Sequence, residues 1–306
     1  PESVLACQTR MPFLRHTLDI ARASARPAAQ SDIVAIERLF STSRYQHLNV
    51  PVSELGGLVT AAPAVVLEAE GALWGAVVAS WPVNGTAWIR GLTLVDQVSI
   101  DRALERLVPA LHEQARAFHI SRLYYGGDIG SDMWLAPRLA TFGYVHDTYV
   151  IIYAKRSMNE PSAGNPAIRI RNAEIVDLAA VAEIDRRCFE AQWVKDSTII
   201  GAALINTPCF LVAEDQGRVI GYAYATSHYN GRQVHLVRIA VHPDWRGSAV
   251  GVRLLSEVVR FARKNGADTL TLNTQEYNTH ARRLYEWFGF RRTGERQLIL
   301  RCDVLV

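Results

Sequence analysis

The chain has 306 residues, 49% of them apolar and 21% charged, with a formal net charge of +3; that is length for two ordinary globular domains. No apolar run approaches the roughly 20 residues that span a bilayer, and residues 1–26 lack the basic start and apolar stretch of a secretion signal, so a cytoplasmic protein with no membrane partner is expected. No dense basic stretch with interleaved aromatics suggests nucleic acid, and the four cysteines (Cys7, Cys188, Cys209, Cys302) form no C-x-x-C pair, which argues against a disulfide framework and a metal site alike.

After an N-terminal extension over 1–22, the residue pattern predicts a strand at 23–26 and a helix at 31–40 with Ser31 as its N-cap. A hairpin of 64–68 and 74–81 follows, then a strand at 86–95, a helix at 100–118 and a strand at 122–125. A helix at 134–142, closed by Gly143, and a strand at 148–154 complete the first set. Residues 157–166 are polar, with two prolines and a glycine, and read as a linker. The same order then repeats. A strand is predicted at 167–171 and a helix at 176–189, with Leu178, Val181, Ile184 and Cys188 at helical spacing. A hairpin of 210–214 and 219–227 turns at Asp215-Gln-Gly217. A strand at 234–241, a helix at 250–265 with Gly266 after it, a strand at 269–273, a short helix at 280–288 and a last strand at 297–304 follow. A repeat of this length is the duplication of a whole domain, 23–156 and 167–306, since solenoid periods run only about 20–50 residues.

Chemistry concentrates in the second copy. Val234 through Gly251 reads as a strand, a tight loop and a helix start. Arg246-Gly-Ser-Ala-Val-Gly251 is small where strand gives way to helix, so several backbone N–H groups and the positive end of the helix dipole meet at one spot. That is a ready site for a phosphate or pyrophosphate. The spacing is neither G-x-x-x-x-G-K-[ST] nor G-x-G-x-x-G. It matches R-x-x-G-x-G with Ala249 in place of the first glycine, and N-x-x-A-x-x-L-Y-x-x-x-G-F follows over Asn278–Phe290.

Together these two motifs resemble the GNAT superfamily of acetyl-CoA-dependent N-acetyltransferases. The resemblance implies an α/β (α+β) fold class: two tandem GNAT-type domains, each a mixed, mainly antiparallel sheet flanked by helices. It implies acetyl-CoA as co-substrate, lying in a splay between two parallel strands. Backbone groups of Ile239, Ala240 and Val241 would hold its pantetheine arm, and the loop Arg246, Gly247, Ser248, Ala249, Val250, Gly251 and Val252 its pyrophosphate. Ala249 is expected to serve with a negative φ, as at an ordinary helix start. Tyr285 stands where the family uses a general acid, and Asn278 would bond the CoA arm, cap its helix, or both. His235 occupies the place of a strand glutamate that acts as base; Glu276 is the second candidate, and Asn273, at another glutamate position, cannot serve. Acceptor selection is placed at 189–207, with Trp193, and at Tyr229. Cys188, on the apolar helix face, is expected to be structural.

The first copy has Asp96-Gln-Val-Ser-Ile-Asp101 where the second has its glycine loop, and Leu139 in the place of Tyr285. It reads as a degenerate copy without the cofactor. The expected activity is transfer of an acetyl group to a primary amine (a peptide N-terminus, a lysine or a small molecule) by direct attack in a ternary complex. The alternative is a non-catalytic acyl-CoA-binding sensor or interaction module. Oligomeric state leaves no signature in the sequence.

Overall fold

The computed structural model describes residues 18–304. Cys7, and the expected extension 1–22 up to residue 17, lie outside the described residues. The chain divides into two compact units, Pro1–Ala79 with Arg90–Gln114, and Ser80–Ile89 with Ala115–Val306.

The first unit contains β1 (Ser24–Pro27), α1 (Ile33–Thr42), β2 (Tyr45–Leu48), α2 (Leu55–Ala61), β3 (Ala64–Ala69) and β4 (Ala72–Ala79). It also holds the last five residues of β5 (Thr86–Leu94) and most of α3 (Ile100–Ala117). β3 pairs antiparallel with β1 and with β4, and β2 pairs antiparallel with β5 from Leu48↔Gly91 to Tyr45↔Leu94. Ile36 and Phe40 of α1 and Leu55 and Leu58 of α2 form a core with Val66, Ala76 and Val78.

The second unit runs through β6 (Arg122–Gly126), α4 (Ile129–Trp134), α5 (Ala136–Ala140), β7 (Val145–Lys155), β8 (Arg169–Asn172), α6 (Leu178–Cys188) and α7 (Ser197–Asn206). It continues with β9 (Cys209–Asp215), β10 (Arg218–His228), β11 (Gln233–Val241), α8 (Val250–Lys264), β12 (Thr269–Gln275), α9 (Thr279–Trp287) and β13 (Arg291–Asp303). Its strand order is β6-β13-β7-β12-β11-β10-β9-β8, with Thr86–Ile89 of β5 beside β6. The β5–β6 and β11–β12 pairs are parallel and the others antiparallel. On one face α8 buries Val250, Leu254, Leu255, Val258 and Val259 with Val234, Leu236, Leu270 and Leu272. On the other, Val181 and Ile184 of α6 and Ile200 of α7 pack with Phe210, Val212, Tyr222 and Tyr224.

The duplication is visible in side chains as well as in element order. In the first unit Arg26 donates to Asp32 (2.7 and 3.0 Å) and to Glu68 (2.5 Å), while Asp32 accepts the Ala29 N–H at 2.8 Å. In the second, Arg171 donates to Asp177 (2.7 and 2.8 Å) and Glu214 (2.7 Å), and Asp177 accepts the Glu174 N–H at 2.8 Å. Each arginine holds its aspartate carboxyl below the ordinary range. The same fork therefore pins the first strand of each copy to the helix that follows.

The repeat read from the sequence breaks at 157–166, whereas the compact units divide elsewhere. β7, the last strand of the first copy, lies hydrogen-bonded between two strands of the second, β12 and β13. Its Lys155 is 2% exposed and donates to the Phe288 carbonyl at 2.6 Å. Residues 157–166 are also fastened. Glu160 accepts from Ser256 (2.5 Å) and Arg260 (3.0 Å), and Asn165 donates to the Ser248 carbonyl at 3.2 Å. Gly164, at φ 75°, lies so close to Arg253 that a Cβ would sit 2.4 Å from its backbone nitrogen.

Four elements were not foreseen. α2 contains Gly56 and Gly57, which weaken a helical reading; β2 has four residues; α7 is apolar on most sides and is announced only by its cap, Asp196, which accepts the Ile199 N–H at 2.8 Å. The fourth is α4, which ends at Trp134; the helix expected at 134–142 is the shorter α5, with Pro137 in its first turn.

Candidate functional site

The parallel ladder of β11 and β12 runs from Gln233↔Thr269 to Leu236↔Leu272 and stops. Beyond it β12 continues against β7 as far as Gln275↔Val150, and β11 continues against β10 as far as Val241↔Gly221. The register of β10 on β11 shifts between Tyr224↔Arg238 and Ala225↔Leu236, so Val237 is an extra residue, a bulge. A bulge bends and twists its strand. It falls where β11 leaves β12, and Val237–Val241 and Asn273–Gln275 border the resulting gap. Ile239, Ala240 and Val241 line its β11 side, and the Val241 carbonyl accepts the Cys188 thiol at 3.1 Å. That thiol is half-buried, and burial raises its pKa against the pull of Arg246. It is a packing group.

β11 leads through a 3-10 turn, Pro243–Trp245, into the glycine loop. His242 is 4% exposed, stacks edge-on to Trp245 with ring centroids 5.2 Å apart, and accepts the Asp244 N–H at 3.3 Å. Arg246, Gly247, Ser248 and Ala249 are all exposed. Helix α8 starts at Val250 with no side-chain cap. The N–H groups of Val250, Gly251 and Val252 have no acceptor within the helix, and the dipole adds positive potential where they point.

Two glycine-type positions differ in cause. Gly247 has φ 84°, which its own backbone requires. Gly251 has helical backbone, and a Cβ there would meet Val241 and Leu284 at 3.7 and 3.8 Å, ordinary contact. Nothing in the protein demands glycine at 251. The absent Cβ leaves the helix end open on that side. The residues present therefore fit a pyrophosphate at this point.

The expectation for Ala249 is corrected: its φ is +56° and ψ 21°, left-handed. An L-residue there suffers Cβ crowding that glycine avoids, at about 1–2 kcal/mol. Ala249→Gly should raise stability by about 1 kcal/mol, less the extra entropy of an unfolded glycine. A thermal melt that falls or stays level would contradict this.

Tyr285 is 5% exposed and lies edge-on to Phe290, with centroids 6.0 Å apart, and near Tyr153 at 6.3 Å. Burial pushes its phenol well above the usual range, so it remains protonated through the physiological range. Its neighbour Leu284 stands beside Gly251. Asn278 is the N-cap of α9, accepting the Ala281 N–H at 3.2 Å.

His235 sits in the paired part of β11, just before the bulge. Its Nδ1 is 2.9 Å from Thr271 Oγ1. That oxygen also accepts from Gln233 Nε2 at 3.3 Å and points its hydrogen to the Val234 carbonyl at 3.5 Å. With the Thr271 hydrogen on the Val234 carbonyl, the ring donates from Nδ1 and Nε2 is the acceptor; with that hydrogen on Nδ1 the roles reverse. Burial, then His228 and Lys195, lower the pKa of His235, which keeps the ring neutral. Glu276 and Asn273 are exposed. Tyr229 is 76% exposed in the β10–β11 turn, at the end of β11 opposite the gap, and is not brought to the site. Trp193 is.

Sequence reasoning missed a buried polar network that holds Trp193 there. Asp185 of α6 is fully buried and accepts from Arg238 Nε and Nη2 (both 2.8 Å), from the Tyr222 hydroxyl, and from the Lys195 N–H at 2.7 Å. Arg238 also donates to the Trp193 carbonyl at 2.6 Å and lies over the Phe189 ring at 3.5 Å. Lys195 Nζ bonds the Tyr224 hydroxyl at 2.5 Å, and burial raises that phenol to about 12. Arg238 follows the bulge directly, so the strand that opens the gap also anchors residues 189–195. The signals available were a lone arginine in the apolar run Val234–Val241 and an aspartate on the apolar face of a helix.

Among the described residues no group of three or more His, Cys, Asp and Glu is placed to hold a metal ion, and no helix is long and apolar enough to cross a membrane.

The model of the acetyltransferase (GNAT) family matches residues 178–290, which contain the gap, the loop, Tyr285 and His235. A putative ribosomal protein bS18-alanine N-acetyltransferase of Bacillus subtilis is 30% identical over 130 residues, 42% of this chain and 83% of that protein. The N-acetylaspartate synthetase of Danio rerio is 38% identical over 87 residues, but these are 28% of this chain and 31% of the synthetase. Among solved structures, a GCN5-related N-acetyltransferase from Sphaerobacter thermophilus superposes with a TM-score of 0.60 at 18% identity, covering 93% of this chain and 96% of that one. A tandem GNAT protein from the clavulanic acid biosynthesis pathway does so at 0.60 and 14%, covering 93% and 99%. The chain belongs to the GNAT family of acetyltransferases.

Proposed function

We propose that this chain transfers an acetyl group from acetyl-CoA to a primary amine by direct attack within a ternary complex. The observation that best supports the reading is the gap between β11 and β12 leading to the uncapped start of α8, where the fold itself has room for a Cβ at Gly251 and does not account for the glycine. The chain's backbone supplies N–H groups for the pyrophosphate and strand edges for the pantetheine arm. The amine nitrogen attacks the thioester carbonyl carbon and the C–S bond breaks. The amine's proton passes to His235 Nε2, directly or through water, and the departing thiolate takes the proton of Tyr285. A buried phenol suits the second task because it stays protonated until the thiolate forms.

Calorimetric titration of acetyl-CoA into the wild type and Gly251→Trp tests the reading. One site per chain is expected, weakened about a hundredfold or more by the variant, as two charge-assisted hydrogen bonds are displaced. A melting curve of the variant accompanies the titration, and Gly251→Ala, whose Cβ has room, should keep the wild-type melting temperature. Two sites would show the first copy binding too. Absence of binding would overturn the reading, and binding without transfer to any amine would leave a sensor.

A further inference from the structure

We infer that Glu190 and Trp193 select an acceptor carrying a second positive charge beside the amine that is acetylated. The inference rests on the acetyl-transfer reading and names its substrate class. Residues 189–195 are held over the sheet face beside the gap, because Arg238 grips the Trp193 carbonyl and the Phe189 ring while Asp185 takes the Lys195 N–H. The Trp193 indole donates to the Tyr277 hydroxyl at 3.1 Å, and that hydroxyl donates to Glu190 at 3.0 Å. Tyr277 is two residues past the end of β12, the other border of the gap. Trp88 backs the surface, its ring 5.0 Å from Trp193 and its indole N–H on the Gln192 carbonyl at 3.0 Å.

The charges around this surface are otherwise spoken for. Arg238 is paired with Asp185, Lys195 Nζ lies on the Tyr224 hydroxyl, and Asp147 lies 3.3 Å from Arg301. Glu190 is hydrogen-bonded by Tyr277 and by the Gln192 amide at 2.8 Å, lies near enough to Asp147 to help raise that carboxyl's pKa, and has no ion pair with a cation among the described residues. A carboxylate without a cation, hydrogen-bonded to a tyrosine that the Trp193 indole N–H bonds in turn, is suited to an ammonium group by charge, with the indole close by for cation–π attraction. A dicarboxylate acceptor would meet repulsion at the same point.

Steady-state kinetics at saturating acetyl-CoA test this with putrescine, n-butylamine and aspartate as acceptors. The wild type should prefer the diamine to the monoamine by roughly tenfold in kcat/KM. Glu190→Gln should raise the diamine KM by about that factor, leaving the monoamine KM and the calorimetric affinity for acetyl-CoA unchanged, while Glu190→Asp restores part of the preference. Preference for aspartate, or an equal KM change for both amines, or none, would overturn the inference while transfer itself stands. A wild type that fails to bind acetyl-CoA or to acetylate any amine would remove the inference together with the transferase reading.

Discussion

Residues 167–306 expressed alone should give neither a cooperative thermal transition nor acetyl-CoA binding, although they contain both sequence motifs. That fragment lacks β6 and β7. β13 is hydrogen-bonded to β6 from Ile299↔Gly126 to Asp303↔Arg122 and to β7 from Arg291↔Ala154 to Arg301↔Val145, so it would lose the partners on both sides. β12 would lose its ladder to β7, leaving the strand that borders the gap with an open edge. Ile151 and Tyr153 belong to the core that holds Tyr285 and Phe290. Removing a large buried side chain costs about 3–5 kcal/mol, and a whole domain has roughly 5–15 kcal/mol to lose. The Phe288 carbonyl would also lose Lys155. Circular dichroism melts and calorimetry on the fragment and the full chain decide the matter. A fragment that melts cooperatively and binds acetyl-CoA like the full chain would show that β7 is dispensable.

That strand also marks where the sequence stops being informative. Alternation at 148–154 announces a strand, but a period of two names neither neighbour, and the order rules favour pairing within the same copy. The glycine loop was legible because a turn that aims backbone N–H groups at one point leaves little room for side chains. Even there Ala249 misled, since its composition suggested ordinary helical backbone and its φ is +56°. His235 and Tyr285 were singled out by position in the motifs, whereas their surroundings could not be read there. The Thr271 contact that orients the imidazole joins residues 36 apart. The Arg238–Asp185 clamp joins residues 53 apart, and the apolar setting of each in the sequence does not name the other as its partner. Tyr229 was placed by family position, but the β10–β11 turn carries it to the far end of the strand.

The rate at saturating substrates should depend on pH through His235, and the direction follows from its burial. Burial disfavours the imidazolium, so the folded pKa lies below the ordinary value of about 6.5. Nε2 is then free to take a proton from the bound ammonium at neutral pH, and kcat should hold its plateau through about pH 6.5 and fall only at lower pH. Tyr285 should impose no alkaline decline up to about pH 10, because burial raises its pKa. His235→Asn should lower kcat by about 10²–10⁴-fold and abolish the acid limb. The same shift predicts a second readout, in stability, that reports the titration of the buried imidazole independently of catalysis. Because the folded state binds this proton less readily than the unfolded chain, His235 contributes stability that is fully present above about pH 6.5 and is lost as pH falls through the folded pKa. The wild type should therefore lose melting temperature relative to His235→Asn over that interval. An acid limb in kcat that survives in His235→Asn, with the melting difference still present, would show that the buried imidazole titrates but is not the base, and would direct attention to Glu276.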